Sequence, residues 1–416
     1  MLRRLIANRS GNVMMLAALS MPLMIGAAGL ASDTVSWALV RRQLQRQADS
    51  AALAGAYALA QGRQASDAAL HDLTIASDVQ LSATPVIANA PTSGAYAGNT
   101  KAVQVTLAST PVLPFSSMFM AAAPTLRATA TAAALTNGQY CVTSLYTGTS
   151  AGISLQGNAS VDLGCGMAAN STSSSGAIYA GGSASINASP IAAVGYVPAS
   201  SNFATGTVIN SYAVPQRNPY SSLPVPSVPA GCNGALNTSP GSTVSVSNPT
   251  GVACYRGMDL KGTVNFAPGV YYIDGGYLSS GAQAVLNGDG VTFILTSSTA
   301  SSNPSSVAAL SLSAGSTVSL TATTSGTYGG ILFYQDPRAS ASNYNGAGGN
   351  ASSTFQGAFY FPAGALGFNG TSGMNTNCVQ MVAYTVLFIG NASITNVCPP
   401  GSGASSFTGT VIRLVG

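Results

Sequence analysis

Asp259, Lys261, Asp274 and Asp289 are the residues of this 416-residue chain whose types and spacing could do chemistry. They fall on successive phrases of a repeating segment, so their carboxylates could stack on one face. Stacked aspartates can hold Ca2+ through hard oxygen ligands, with a lysine or arginine as base, as in parallel β-helices that cleave acidic polysaccharides. The competing role is structural: Asp274 and Asp289 adjoin glycines and Asp259 lies two residues from Gly257, settings in which aspartate serves turns. His71, the single histidine, stands beside Asp72 in a predicted helix with no nucleophile near it. The sequence has no Gly-rich phosphate loop, no Cys-x-x-Cys pair, no Gly-x-Ser-x-Gly elbow and no Gly-Gly-x-Gly-x-Asp repeat. The residues therefore read as a chain without catalytic, cofactor-binding or metal-ligating sites, and not as an enzyme.

The cysteines offer a different chemistry. All six lie in the larger, C-terminal part, as Cys141/Cys165, Cys232/Cys254 and Cys378/Cys398. An even count fits disulfides formed in an oxidising compartment, and sequential pairing closes loops of about two dozen residues or fewer. Buried free thiols are the alternative.

Composition narrows the classes further. Charged residues make up 6% of the chain and hydrophobic residues 46%, and no Glu occurs. Disordered chains show the opposite balance, so a folded, β-rich protein is expected. The net charge of +4 comes from basic residues around the N-terminal apolar stretch: from Gly138 onward Arg217, Arg256, Lys261, Arg338 and Arg413 balance Asp162, Asp259, Asp274, Asp289 and Asp336. Such a neutral region carries no electrostatic footprint for nucleic acid.

Residues Val13 to Ser32 run without a charge, and at ~1.5 Å per residue they reach across a hydrocarbon core of ~30 Å. Pro22 inside the stretch is tolerable in a membrane helix. Arg3, Arg4 and Arg9 precede it while Arg41, Arg42 and Arg46 follow it, so the positive-inside rule nearly ties. The disulfide-compatible cysteines and the Ser/Thr-rich remainder favour an N-terminus inside and Thr34 onward outside. A cleaved signal peptide is the competing reading, because Gly29-Leu30-Ala31 before Ser32 approximates a small-x-small site. Trp37, Val40, Leu44, Ala48, Ala51, Gly55 and Leu59 then recur at helical spacing, which predicts an amphipathic stalk continuing the membrane helix.

Taken together, Gly11, Asn12, Pro22, Asp33, Leu44, Gln45, Ala48, Asp49, Ala51, Ala52, Leu53, Ala54, Gly55 and Ala56 resemble the N-terminal segment of TadG-like proteins of the Tad (Flp) pilus-assembly system. That resemblance implies a single-pass bacterial inner-membrane protein whose large part is periplasmic. TadE-type relatives are processed pseudopilins with a Glu near the cleaved Gly; a chain with no Glu lacks it, so the resemblance implies an uncleaved anchor. The Asp-x-Ser-x-Ser metal site of the von Willebrand-type domain common in TadG-like proteins is not found, which counts against metal-dependent adhesion.

Beyond the stalk, Lys101–Leu107 and Leu126–Ala134 alternate as half-buried strands do, predicting a small α/β unit over 63–137 after an anchor-and-stalk region over 1–62. From 138 to 416 a phrase recurs: an apolar residue, a Gly-containing turn, then alternating small and β-branched residues. Leu155–Leu163, Ala180–Ala188, Leu286–Ile294, Leu312–Leu320 and Phe388–Asn396 carry it. Gly157 to Gly182, Gly262 to Gly288 and Gly288 to Gly315 give steps of about 25 residues, the range of solenoids. The expected fold is mainly β: a right-handed parallel β-helix, with a β-sandwich as the alternative. Eight prolines between Val197 and Arg256 predict a surface excursion over about 197–256. The phrases Phe266–Gly276 and Gly329–Pro337 resemble rungs that follow TadG-type N-termini.

The expected function is a membrane-anchored structural or assembly component of a Tad-type pilus or surface-adhesion system, with no cofactor. Its expected partners are the inner membrane, other pilus-assembly or envelope proteins and a surface glycan, with no nucleic acid. A polysaccharide-active or polysaccharide-binding β-helix protein is the alternative.

Overall fold

The computed structural model describes residues 10–76, 78–118, 120–370, 374–391, 393–396 and 407–416. They form two compact units: one takes the chain up to Leu135 together with Val411–Gly416, the other is Thr136–Thr410.

In the first unit, helix α1 (Ser10–Ala60) runs unbroken through Pro22 over 51 residues, which at ~1.5 Å per residue is about 77 Å. It stops at Gly62, whose φ of 74° suits a residue without Cβ, while Arg63 N–H donates back to the Ala58 carbonyl at 2.8 Å in the bonding pattern of a helix C-cap. Helix α2 (Ala65–Ile75) follows. Strands β1 (Val86–Asn89) and β2 (Ala102–Ser109) pair antiparallel, and β2 pairs antiparallel with residues 126–133 of β3 (Leu126–Ser144). Leu44, Ala48, Ala51, Ala52 and Ala56 make one stripe of α1, matching its 3.6-residue period, and pack with Ala65 and Ala69 of α2. The sheet meets them with Val103, Val105 and Leu107 of β2 and Ala128, Ala130 and Ala132 of β3, spaced by the two-residue period of strands. The many alanines let helix and sheet approach closely. Val411–Gly416 group with this unit: Ile412 packs on its core and Val415 N–H donates to the Thr131 carbonyl at 2.8 Å.

The second unit is a β-solenoid spanning residues 140–389, as the recurring phrases predict. Its strands lie on three faces, and each pairs parallel and in register with the strand one turn on. On one face Val252–Tyr255, Gly269–Asp274, Val291–Thr296 and Ile331–Gln335 succeed one another. Inward residues stack into ladders. Tyr271, Phe293, Phe333 and Phe359 have ring centroids 5.5, 5.6 and 5.0 Å apart, and Val264, Leu286 and Val318 align beside them. Outward positions carry Ser, Thr and Asn that satisfy each other without charge: Asn287 donates to Asn265 at 2.9 Å and Thr354 to Ser319 at 3.3 Å.

Spatial order differs from chain order. The turn containing residues 379–396 stacks on the turn at 140–162, with Met381 opposite Val142, Val386 opposite Ile153 and Ser393 opposite Ser160. Coil 236–396 is therefore continued by coil 140–210, and the apolar ladder crosses the joint from Phe388 to Leu155. Between the two coils the chain must return from one end of the stack to the other, and the Pro-rich segment makes that return. The excursion is shorter than the expected 197–256. Ile209–Asn210 still pairs with the previous turn, while Leu236–Asn237, Thr243–Val246 and Val252–Tyr255 already form a new one. Pro240 and Pro249 fall in the corners between those last strands, where no ladder hydrogen bond is lost.

The glycine spacing has two outcomes. Gly390, Gly157 and Gly182, with φ of 77°, 77° and 68°, do stack: a Cβ on Gly182 would lie 3.0 Å from the Gly157 carbonyl, and one on Gly157 3.2 Å from that of Gly390. Gly262, Gly288 and Gly315 do not, because Gly288 aligns with Phe266 and Leu320 inside a strand face. Turn lengths vary with the corner loops, from 18 residues between the paired Val252 and Val270 to 40 between Phe293 and Phe333, so no single period holds.

Candidate functional site

The N-terminal half of α1 presents Met14, Met15, Leu16, Leu19, Met21, Leu23, Met24 and Ile25 as exposed apolar side chains. It is long and apolar enough to cross a membrane. Gly11 and Asn12 lie in its first turn, their side chains outside the described residues. Asp33, the first residue beyond the apolar run, is buried and accepts hydrogen bonds from Phe115 N–H at 3.1 Å, Ser116 N–H at 2.6 Å and Ser116 Oγ at 2.5 Å. It thereby caps the short 3-10 turn Ser116–Met118. Leu44 is in the core. Gln45 Nε2 donates to Asp49 Oδ1 at 2.9 Å and to the Thr129 carbonyl at 3.1 Å, fastening α1 to β3. Gly55 faces Val103, whose Cγ1 would lie 2.9 Å from a Cβ there. Of the positions that carry the family resemblance, Leu44, Gln45 and Gly55 bring α1 against its own sheet and Asp33 fixes the loop beside it.

The aspartates of the enzymatic hypothesis do not gather. Asp259 pairs with Lys261 at 2.8 Å on one face. Asp274, ending a strand of another, accepts from Ser298 N–H at 2.6 Å, and Asp289, in the turn after Val285–Gly288, accepts from the Thr321 hydroxyl. Asp274 and Asp289 are engaged where the chain bends, whereas Asp259 lies within the strand Met258–Leu260. Among the described residues no group of three or more His, Cys, Asp or Glu is placed to hold a metal ion. His71 borders a cavity of about 500 Å³ with Arg63, Gln64 and Asp67.

Residues 211–235 run along the solenoid as a strap, with bonds to turn after turn. Gln216 and Asn170 exchange hydrogen bonds at 2.8 and 2.9 Å, and Asn218 donates to Tyr360 Oη at 2.8 Å. Tyr220 donates to Gln380 and packs edge-on against the Tyr360 ring. Tyr334 Oη donates to the Pro224 carbonyl at 3.1 Å. Burial pushes the Tyr220 and Tyr334 hydroxyls above their ordinary range, so both stay protonated donors. Arg338 Nη2 then donates to the Pro226 carbonyl at 2.9 Å and, with Nε, grips the fully buried Asp336 carboxylate. Hydrogen bonding to that carboxylate raises the Arg338 guanidinium above its usual value. Cys232 and Cys254, Cα atoms 4.6 Å apart, are disulfide-bonded at the strap's far end. Cys141 and Cys165, 5.9 Å apart, tie two neighbouring turns. Both bonds follow the sequential pairing; Cys378 and Cys398 lie outside the residues whose side chains are described. Sequence reasoning missed the Asp336–Arg338 clasp, whose one signal was an acid and a base two residues apart in a region almost without charge.

A second feature missed in the sequence is a slot of about 500 Å³ between Tyr277 and Tyr344. Tyr277 pairs with Ala309 and Ser311 with Gly346, so small Ala309 sits one turn from each tyrosine. Turns stack ~4.8 Å apart, which sets the two tyrosine positions about 10 Å apart. Both rings are exposed, and Ser305, Ser306, Ser311, Ser342 and Asn343 line the floor and walls; no charged residue does.

No curated protein and no solved structure matches the chain. Residues 11–61, which are α1 and the turn that ends it, match the family described as "Putative Flp pilus-assembly TadE/G-like", so this segment is similar to the Tad family, as its residues predict.

Proposed function

We propose that this protein is a membrane-anchored structural or assembly component of a Tad (Flp) type pilus or surface-adhesion system. In this reading the N-terminal part of α1 sits in the bacterial inner membrane, residues from Thr34 onward lie on the periplasmic side, and the solenoid binds pilus or envelope partners without catalysis. The observation that carries it is the coincidence of the family match over 11–61 with an exposed apolar helix seated on its own α/β unit. Disulfides in the solenoid favour the oxidising side of the membrane.

Removing the chain from cells that make it is the direct test: surface filaments counted by electron microscopy should fall, and undiminished filaments would sink the pilus role. A phosphatase fused after Gly416 should be active outside the cytoplasm; activity only inside would reverse the orientation.

The Tyr277–Tyr344 slot favours a second reading, polysaccharide binding. Two tyrosines about 10 Å apart, with neutral hydroxyl and amide groups between them, suit a short stretch of uncharged glycan. Retention on immobilised neutral polysaccharide that is lost in Tyr277→Ala/Tyr344→Ala would support it, and equal retention of both proteins would dismiss it. Replacing Asp259, Asp274 and Asp289 together by Ala separates binding from cleavage: a glycan-cleaving activity lost with the fold intact would overturn the non-catalytic reading.

A further inference from the structure

We propose that the loop carrying Val112, Phe115 and Met120 inserts into the outer leaflet beside α1, giving this protein a second, interfacial contact with the lipid bilayer. The inference rests on the reading that residues 13–32 span the membrane. Gly29 is three residues short of the end of that span, about 4.5 Å below the outer boundary of the hydrocarbon. The Phe115 side chain lies directly on Gly29, its Cβ only 2.8 Å from where a Gly29 Cβ would be. The missing side chain is the seat for the ring, and the seat fixes the depth of the loop. Phe115 is thereby held just inside the headgroup boundary, the depth at which interfacial segments bury Phe and Leu.

Three further observations agree with lipid as the occupant. Val112, Phe115 and Met120 are 84%, 49% and 37% exposed, an apolar set turned outward. Between Lys101 and Arg127 the sequence has no charged residue, so the loop itself brings no charge into an apolar phase, and the Asp33 carboxylate it touches lies just beyond the span with three hydrogen bonds to the loop. Finally, the amides of Phe115 and Ser116, which would lack water at that depth, are both satisfied by the Asp33 carboxylate. An interfacial loop of this kind would hold the α/β unit against the membrane surface, which a single helix leaves free to swivel.

Fluorescence quenching of the full chain in lipid nanodiscs tests this. Trp37 is the single tryptophan, so Trp37→Phe gives a silent background into which Phe115→Trp, Val112→Trp, Leu19→Trp and Tyr277→Trp are introduced one at a time. Brominated phosphatidylcholine should quench Leu19→Trp in the span and either loop probe, while aqueous iodide should quench Tyr277→Trp alone. Val112, open to its surroundings, keeps the test alive if Phe115→Trp disturbs the fold. Loop probes quenched by iodide and not by bromolipid, with Leu19→Trp still quenched by lipid, overturn the loop insertion alone. Should Leu19→Trp also escape the bromines, the spanning helix falls and the loop insertion with it.

Discussion

Arg338→Ala should loosen the strap and destabilise the solenoid together. In the native protein the Asp336 carboxylate is wholly buried and is held by Arg338 Nε at 2.9 Å and Nη2 at 2.6 Å, with Thr296 Oγ1 donating at 2.7 Å. Deleting the guanidinium leaves a buried carboxylate with one hydroxyl and the Arg338 amide as its donors. Breaking a buried pair from one side costs about 3–5 kcal/mol. The Arg338 side chain is 34% exposed, so water can enter the vacated site, and the expected loss is nearer 2–3 kcal/mol. For a unit the size of Thr136–Thr410 that corresponds to a fall in Tm of roughly 3–5 °C. Arg338 also donates to the Pro226 carbonyl and to Ser301 Oγ, so the strap should lift. Trypsin cleavage after Arg217 should then be faster than in the parent protein, read by mass spectrometry of the fragments. Adding Asp336→Asn to Arg338→Ala should recover part of the lost Tm, since a neutral amide costs less to bury than a charge. A Tm within 1–2 °C of the parent, with unchanged cleavage at Arg217, would refute the argument that the clasp fastens strap to coil.

Alkaline pH should unfold the protein through its buried tyrosines. Burial pushes Tyr140 and Tyr271 up to about 12, whereas an unfolded tyrosine ionises near 10. Below pH 10 both states keep the proton and stability is constant; between 10 and 12 only the fold keeps it, so stability falls by about 2–3 kcal/mol per tyrosine. Absorbance at 295 nm should rise together with loss of circular dichroism, and titration of these two tyrosines with the fold intact would contradict this. Replacing Cys232 and Cys254 by Ser, which opens a loop of sequence separation 22, should cost about 3 kcal/mol by chain entropy. Calorimetry in the absence of reductant would show it. Asp33→Ala removes the three hydrogen bonds that hold the loop at 115–116. Amide exchange at Phe115 and Ser116 should accelerate at least about tenfold, one lost bond of about 1.4 kcal/mol being sufficient, with core amides of β2 unchanged.

Much of the first unit was legible because its signals are local. An uncharged run of twenty residues, apolar positions at helical spacing from Leu44 to Ala56, and alternation in 102–109 each follow from the geometry of a single element. Solenoid architecture was legible for a related reason: stacking demands like residues at like positions, and Gly157 and Gly182 show that demand as a repeat. The period failed where corner loops lengthened the turns, since pairing fixes register between strands and leaves the corners free.

The apolar helix, the strand-rich character of the larger part and the likeness of residues 11–61 to the Tad family could thus be read from the sequence alone, while sequential cysteine pairing was an expectation that the structure realises at Cys141–Cys165 and Cys232–Cys254. Only the tertiary structure decided that coil 140–210 continues coil 236–396, because any two turns with matching ladders can stack whatever their order along the chain. It also decided that the Pro-rich segment is a strap gripped by Arg338, that Tyr277 and Tyr344 flank one slot, and that Phe115 rests on Gly29. Each of these joins residues far apart in the chain, and no local pattern records a contact made only when distant turns meet.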